Sequence, residues 1–244
     1  RWWRLSDIEP KPMKLADASA ELLALLDDAV RIRLRADVPF GAFLSGGIDS
    51  STVTGLMAMH MSRPVDTFSI GFEDQRFDET RHAHAVSRRF GTNHRHEIVS
   101  PRMLGRWPDV LHHLEQPHGD VSFMPTLRVA ELAAAETKMV LTGDGSDELF
   151  AGYDKYLNFF GPDATFGDDA SFARTYTDSA LTLFPETTLD ADLYTRGAAK
   201  ALAGLSTHDL IAGHLADVPQ FDHLTRALYL DALLLLPGNR PQCA

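Results

Sequence analysis

The chain is poor in cysteine, in long apolar runs and in basic residues, and each shortage excludes something. Cys243 is the sole cysteine among 244 residues, so no disulfide can form within the chain. No apolar run approaches the roughly 20 residues that span a bilayer. The densest stretch, Leu228 to Leu236, is broken by Asp231. Arg1-Trp2-Trp3-Arg4 is not followed by the apolar segment of an export signal, and the expected location is the cytoplasm. Lysine and arginine number 23 against 34 aspartates and glutamates, a net charge of −11. That disfavours nucleic acid as the main partner, because a phosphate backbone needs a basic face. A small phosphorylated ligand stays open, since backbone N–H groups, a helix N-terminus and a divalent cation hold it without net positive charge. The remaining composition, 44% hydrophobic and 23% charged, suits a globular chain with a sizeable core.

Residues 1–16 contain Pro10 and Pro12 and no apolar period, and read as a linker or arm left from a missing N-terminal domain. From Asp17 to about Arg35, Leu22, Leu25, Leu26, Ala29 and Ile32 recur at helical spacing, with Asp17 as the cap. An alternation then begins. Strands are expected at 39–45, 65–72, 94–99 and 138–142. Helices are expected at 49–61, 78–90, 101–115 and 124–137, with Val53, Leu56, Met57 and Met61 on one face of the first and Gly91 closing the second. This order implies parallel strands joined by right-handed crossovers, with ligands beyond the strands' carboxyl ends. Residues 17–153 form the expected α/β core. Residues 154–244 turn helical, after a loop at about 160–171, and read as a truncated extension of the same domain.

Two loops carry the chemistry. Leu44-Ser45-Gly46-Gly47-Ile48-Asp49-Ser50-Ser51 follows a strand and opens a helix, the setting in which N–H groups and a helix dipole hold an anion. Its glycines allow close backbone approach, and its serines add hydroxyl donors. Asp49 fits beside phosphates only if Mg²⁺ bridges carboxylate and phosphate oxygens. The loop is neither GxxxxGK(S/T) nor GxGxxG. Thr142-Gly143-Asp144-Gly145-Ser146-Asp147-Glu148 also follows a strand and sets three carboxylates within five residues, an arrangement that repels itself without a cation. Helix capping accounts for Asp147 and Glu148 but poorly for Asp144 and the glycines.

With VPFGAFLSGGIDSS, TFSIGFEDQRFDE and GDGSDELFAGY in this order and spacing, the chain resembles the synthetase domain of the asparagine synthetase family. The first loop resembles that of the wider ATP pyrophosphatase superfamily, which includes GMP and NAD synthetases. The resemblance runs from about Asp17 to Tyr153 and continues weakly to about Pro237. It implies a Rossmann-like α/β fold of the adenine nucleotide α-hydrolase type, a parallel sheet flanked by helices, with a helical carboxyl-terminal extension. It implies that ATP is cleaved between its α- and β-phosphates, that the side-chain carboxylate of aspartate forms β-aspartyl-AMP with release of pyrophosphate, and that ammonia displaces AMP. By similarity Leu44 and Ile70 flank adenosine, and Thr142 and Gly143 touch it from the neighbouring strand end. Ser45, Gly46, Gly47 and Ser50 hold pyrophosphate, and Asp49 and Asp147 bind Mg²⁺. Asp144 stands at an acidic position linked to adenylation, where family members often carry Glu. Asp120, in the Pro117-His118-Gly119 turn region, and Glu148 are the candidate substrate contacts. A homodimer is one assembly open to the chain.

Three departures qualify the resemblance. The family's glutaminase domain, with its N-terminal cysteine, has no counterpart here, so this polypeptide is expected to make no ammonia from glutamine. Trp2-Trp3 resembles the start of the family's inter-domain linker. LYLDALLLLPGNR resembles the approach to a segment holding a catalytic lysine, but the sequence passes to Pro241-Gln242-Cys243-Ala244. A related synthetase acting on another carboxylate, or a non-catalytic nucleotide-binding fragment, shares the same loops. A β-branched residue at Gly46 is expected to clash with phosphates while leaving the fold intact. His94 and His96 share a strand face, but no third ligand is evident nearby, and surface histidines are the simpler reading. No GxSxG elbow occurs, which argues against a serine hydrolase.

Overall fold

The computed structural model describes residues 3–115, 122–162, 164–182 and 193–236. The chain divides into two compact units. One is made of the described residues of Met13–Asp144. The other joins those of Arg1–Pro12 to those of Gly145–Arg240.

The first unit holds a four-stranded parallel sheet in the order β3-β2-β1-β4, from β1 (Phe40–Phe43), β2 (Asp66–Phe72), β3 (Asn93–Val99) and β4 (Met139–Leu141). The chain steps outward from β1 through α2 (Ile48–His60) and α3 (Thr80–Phe90). It then returns past β1 through α4 (Trp107–Leu114) and α5 (Phe123–Ala134). Right-handed crossovers that reverse direction put helices on both faces. The side chains follow suit: His94 on β3 meets His84 of α3, whereas Glu97, three residues on, pairs with Arg128 of α5. On one face Val30 of α1 (Leu15–Arg33) packs with Ala42, Leu56, Met57, Val65 and Leu141. Val110, Phe123 and Met124 form a separate small core under α4 and α5.

Periodicity locates these elements, with local corrections. Asp17 is not the cap of α1: the helix begins two residues earlier, after Lys14, and Asp17 lies in its first turn. Its inward stripe is Leu26, Val30 and Leu34, and Leu22, Leu25 and Ile32 are exposed. Gly91 does close α3, in the left-handed region at φ 65° that glycine adopts without a Cβ penalty. The expected 101–115 helix splits into a 3₁₀ stretch at Pro101–Arg106 and α4, where Pro108 lies in the first turn.

The second unit is helical: α6 (Ser146–Phe150), α7 (Asp154–Phe159), α8 (Asp169–Tyr176), α9 (Arg196–Leu202), α10 (Thr207–Ala216) and α11 (His223–Leu230). Single π-helical turns extend α8 and α11 at Thr177–Leu181 and Asp231–Leu235. Its core gathers Tyr156, Phe172, Tyr176, Ile211, Leu215, Val218 and Leu230, and Leu5 from the amino-terminal stretch packs against it. Side-chain caps begin the longer helices: Asp168, Ser206 and Asp222 each accept a first-turn N–H. No helix among the described residues is long and apolar enough to cross a membrane.

Candidate functional site

Parallel register sets the ends of β1 and β4 level with the middle of β2. Phe43 pairs with Phe68 and Ala42 with Leu141. Leu44-Ser45 and Thr142-Gly143 therefore leave their strands side by side, level with Ser69-Ile70 of β2, which runs on to Phe72. β1 and β4 are the neighbours between which strand order reverses, the position where open α/β sheets collect ligands.

The loop after β1 is braced by its own hydroxyls. Ser45 Oγ and Ser50 Oγ lie 3.0 Å apart, the Ser45 N–H donates to Ser50 Oγ (3.3 Å), and the Gly47 N–H donates to Ser45 Oγ (3.2 Å). Gly47 caps α2 without a side chain, so no side-chain cap takes up the first-turn N–H donors there. Asp49 and Ser50, half-buried, occupy that first turn. The loop after β4 rests directly on it. A Cβ on Gly143 would stand 2.8 Å from Asp49 Cβ and 3.0 Å from the Ser50 nitrogen. Glycine is what lets the two loops touch. The Thr142 hydroxyl donates to Asp144 Oδ2 at 2.9 Å, holding that exposed carboxylate beside the strand end.

Two expectations change at this edge. Gly46 sits at φ 90°, and a Cβ there would lie 2.5 Å from the Ala83 nitrogen of α3. A β-branched residue would thus strain the fold itself, whatever occupies the loop. Gly47, with φ −67° and only Ser45 Oγ 3.3 Å from an added Cβ, is the position where a side chain disturbs the loop's open face and little else. Leu44 is 1% exposed, so its side chain belongs to the core, and its backbone is what faces the edge; Ile70 is half-buried. Beyond β2 and β3, a cleft of about 480 Å³ is lined by Glu73, Ser100, Met103, Arg106, Met124 and Arg128. Its guanidinium groups are paired, Arg106 with Glu131 and Arg128 with Glu97. Arg106 foremost, then Arg128, holds the Glu131 carboxyl below its usual range.

In the helical unit, α6 lies between Gly145 (φ 96°) and Ala151 (φ 56°), with Asp147 and Glu148 in its first turn. Gly152 backs onto the Asp147 carboxylate so closely that no Cβ fits between them. Glu148 is 2% exposed. Its Oε1 accepts from the Tyr153 hydroxyl at 2.7 Å, and its Oε2 has no partner among the described residues. The sequence reading missed the neighbouring group. Asp231, fully buried, accepts from the Tyr156 and Tyr176 hydroxyls and pairs with Lys155 Nζ at 2.6 Å. Burial first, and the nearby carboxylates next, push the Tyr153, Tyr156 and Tyr176 phenols above their ordinary range. The signal for this cluster was the lone Asp231 in an apolar run. Asp120 lies outside the described residues.

A third histidine does accompany His94 and His96. His84, on α3, brings a ring nitrogen within 4.8 Å of theirs. Spacing within β3 could not reveal it, because the partner arrives from the crossover helix. Burial, then the charges of His84 and His96, push His94 down to about 4.

Residues 21–241 match the protein family described as asparagine synthase. The chain belongs to that family. A Methanocaldococcus jannaschii protein, provisionally named asparagine synthetase (glutamine-hydrolyzing) 2, is 43% identical over 161 residues, covering 64% of this chain and 30% of that protein. Asparagine synthetase (glutamine-hydrolyzing) 1 of Bacillus subtilis is 37% identical over 130 residues, covering 53% of this chain and 20% of that protein. Amidase chyE of Penicillium rubens is 37% identical over 145 residues, covering 53% and 22%. The matched stretches thus span less than a third of these relatives.

Proposed function

We propose that this chain carries the ATP-consuming half of an amide-forming reaction, converting aspartate to asparagine. In the first step a side-chain carboxylate oxygen of aspartate attacks the α-phosphorus of ATP. The bond from that phosphorus to the β-phosphate oxygen breaks, and pyrophosphate leaves. In the second step ammonia attacks the acyl carbon of β-aspartyl-AMP, AMP departs, and the nitrogen loses a proton. No protein nucleophile is required, because the substrate supplies it. What the protein must supply is orientation and stabilisation of charge on the phosphates.

The observation that carries this reading is the seating of Gly143 on Asp49 and Ser50, which brings two strand-end loops together at the point of strand reversal. We assign Ser45, Gly46, Gly47 and Ser50 to pyrophosphate, Thr142, Gly143, Ile70 and the Leu44 backbone to the adenosine, and Asp144 to the adenylation step. Mg²⁺ would be held by Asp49 and Asp147 and would neutralise phosphate charge. Asp49→Asn and Asp147→Asn are each expected to weaken Mg²⁺-dependent nucleotide binding. The buried, unpartnered Glu148 Oε2 supports a polar contact with the substrate from that side chain.

The test is pyrophosphate release with Mg·ATP, ammonia supplied directly, and a panel of carboxylates. Release that depends on aspartate supports the assignment. Release that depends on another carboxylate supports a second reading, an amidating relative with a different substrate, which would share the same two loops. No release with any carboxylate, from a chain that still binds nucleotide, contradicts both.

A further inference from the structure

Strand β3 carries His94 and His96 on one face, and α3 lays His84 over them. The His94 and His96 rings are parallel, 6.1 Å apart at 10°, and His84 stands edge-on to both, at 5.1 and 4.7 Å. One nitrogen from each imidazole lies within 4.8 Å of the others. Tetrahedral Zn²⁺ with bonds of 2.0–2.1 Å places its ligand nitrogens about 3.3 Å apart. Small turns of exposed His96 and half-buried His84 close that gap.

The surroundings fix the His94 tautomer. The Ser87 hydroxyl donates to the Thr92 carbonyl (3.5 Å), and the Thr92 hydroxyl donates to Ser87 Oγ (2.9 Å). With its proton committed, Thr92 Oγ1 accepts from Thr67, 2.8 Å away. The Thr67 proton is then also spent, so Thr67 Oγ1 accepts from His94 Nδ1–H at 3.1 Å. His94 Nε2 then carries the lone pair and accepts from the Ser69 hydroxyl at 3.3 Å, a bond that a metal would replace. An imidazole held by a hydrogen bond at one nitrogen and free to donate electrons from the other is how metal-ligating histidines are oriented. The carboxylate of Asp78 is close enough to feel the charge of His96.

We propose that His84, His94 and His96 bind a divalent transition metal that prefers imidazole, Zn²⁺ above all, with a fourth position open to water. The proposal is independent of the amidation reading. A metal here ties the edge strand to α3, whose His82–Ala83 backbone packs against Gly46.

The test uses the untagged 244-residue chain, stripped with chelator and titrated with Co²⁺ and then Zn²⁺. One equivalent of Co²⁺ should give the intense visible absorption of tetrahedral coordination, and Zn²⁺ should abolish it. Zn²⁺ at a hundredfold excess over its Kd should raise the Tm by roughly 5 °C. His84→Gln and His96→Gln, checked for folding by circular dichroism, should each weaken binding at least tenfold. His82→Gln, on the same helix but turned away, should not. Equal affinity in the wild type, H84Q and H96Q would overturn the site, as would failure of the wild type to bind either ion at micromolar concentration.

Discussion

The two units put their polar groups to opposite uses. In the α/β unit the groups at the strand ends are open: Ser45 and Gly47 are exposed, Asp144 is exposed, and the first turn of α2 has no side-chain cap. In the helical unit the comparable groups are closed away: Asp231 is fully buried with two phenols and an ammonium around it, and Glu148 is 2% exposed. Open donors cost little in water and are available to a ligand. Buried charges must be paired, and once paired they penalise the loss of either partner. Substitutions at the strand ends should therefore alter binding, and substitutions around Asp231 should alter stability.

The largest effect is expected at Asp231. Asp231→Ala leaves Lys155 and two hydroxyls without their acceptor and should cost about 3–5 kcal/mol, read as a lowered midpoint in urea. Second is Gly143→Ala, which pushes against Asp49 and Ser50. It should weaken Mg·ATP binding at least tenfold by calorimetry and destabilise the fold by about 1–3 kcal/mol. Third is Gly47→Val, expected to reduce nucleotide affinity about tenfold, or roughly 1.4 kcal/mol, with the Tm nearly unchanged. A large Tm loss in Gly47→Val, or none in Asp231→Ala, would erase the contrast. The smallest effect concerns pH. The folded Tyr156 and Tyr176 phenols titrate above their unfolded value of about 10, so the stability they contribute is complete below that value and is lost as pH rises through and beyond it. Tyr176→Phe should flatten the alkaline limb of a pH–stability curve followed by circular dichroism.

The same contrast governs how much the sequence disclosed. Local patterns were legible wherever the cause was local. Short apolar runs marked β1, β2 and β4, and glycines after strand ends marked both loops. Gly91 gave the end of α3 because a left-handed residue is a one-residue signal. What stayed hidden depended on distant chain. Gly46 read as a phosphate-approach glycine, yet α3, more than thirty residues on, also requires it. His84 joins His94 and His96 only through the packing of α3 on β3. Asp231 meets Tyr156 across 75 residues, a pairing no spacing rule anticipates. Leu44 was expected beside a ligand from its place in the motif, whereas burial commits its side chain to the core.

Hydrogen exchange followed by mass spectrometry, with and without Mg²⁺ and a non-hydrolysable ATP analogue, would locate the nucleotide on the chain. New protection of backbone amides is expected at Ser45–Ser51 and at Thr142–Asp144, with little change along the outer faces of α1 and α4. Saturating nucleotide that leaves both strand-end loops exchanging at their free rates, or that protects only residues elsewhere, would contradict the placing of nucleotide at these loops.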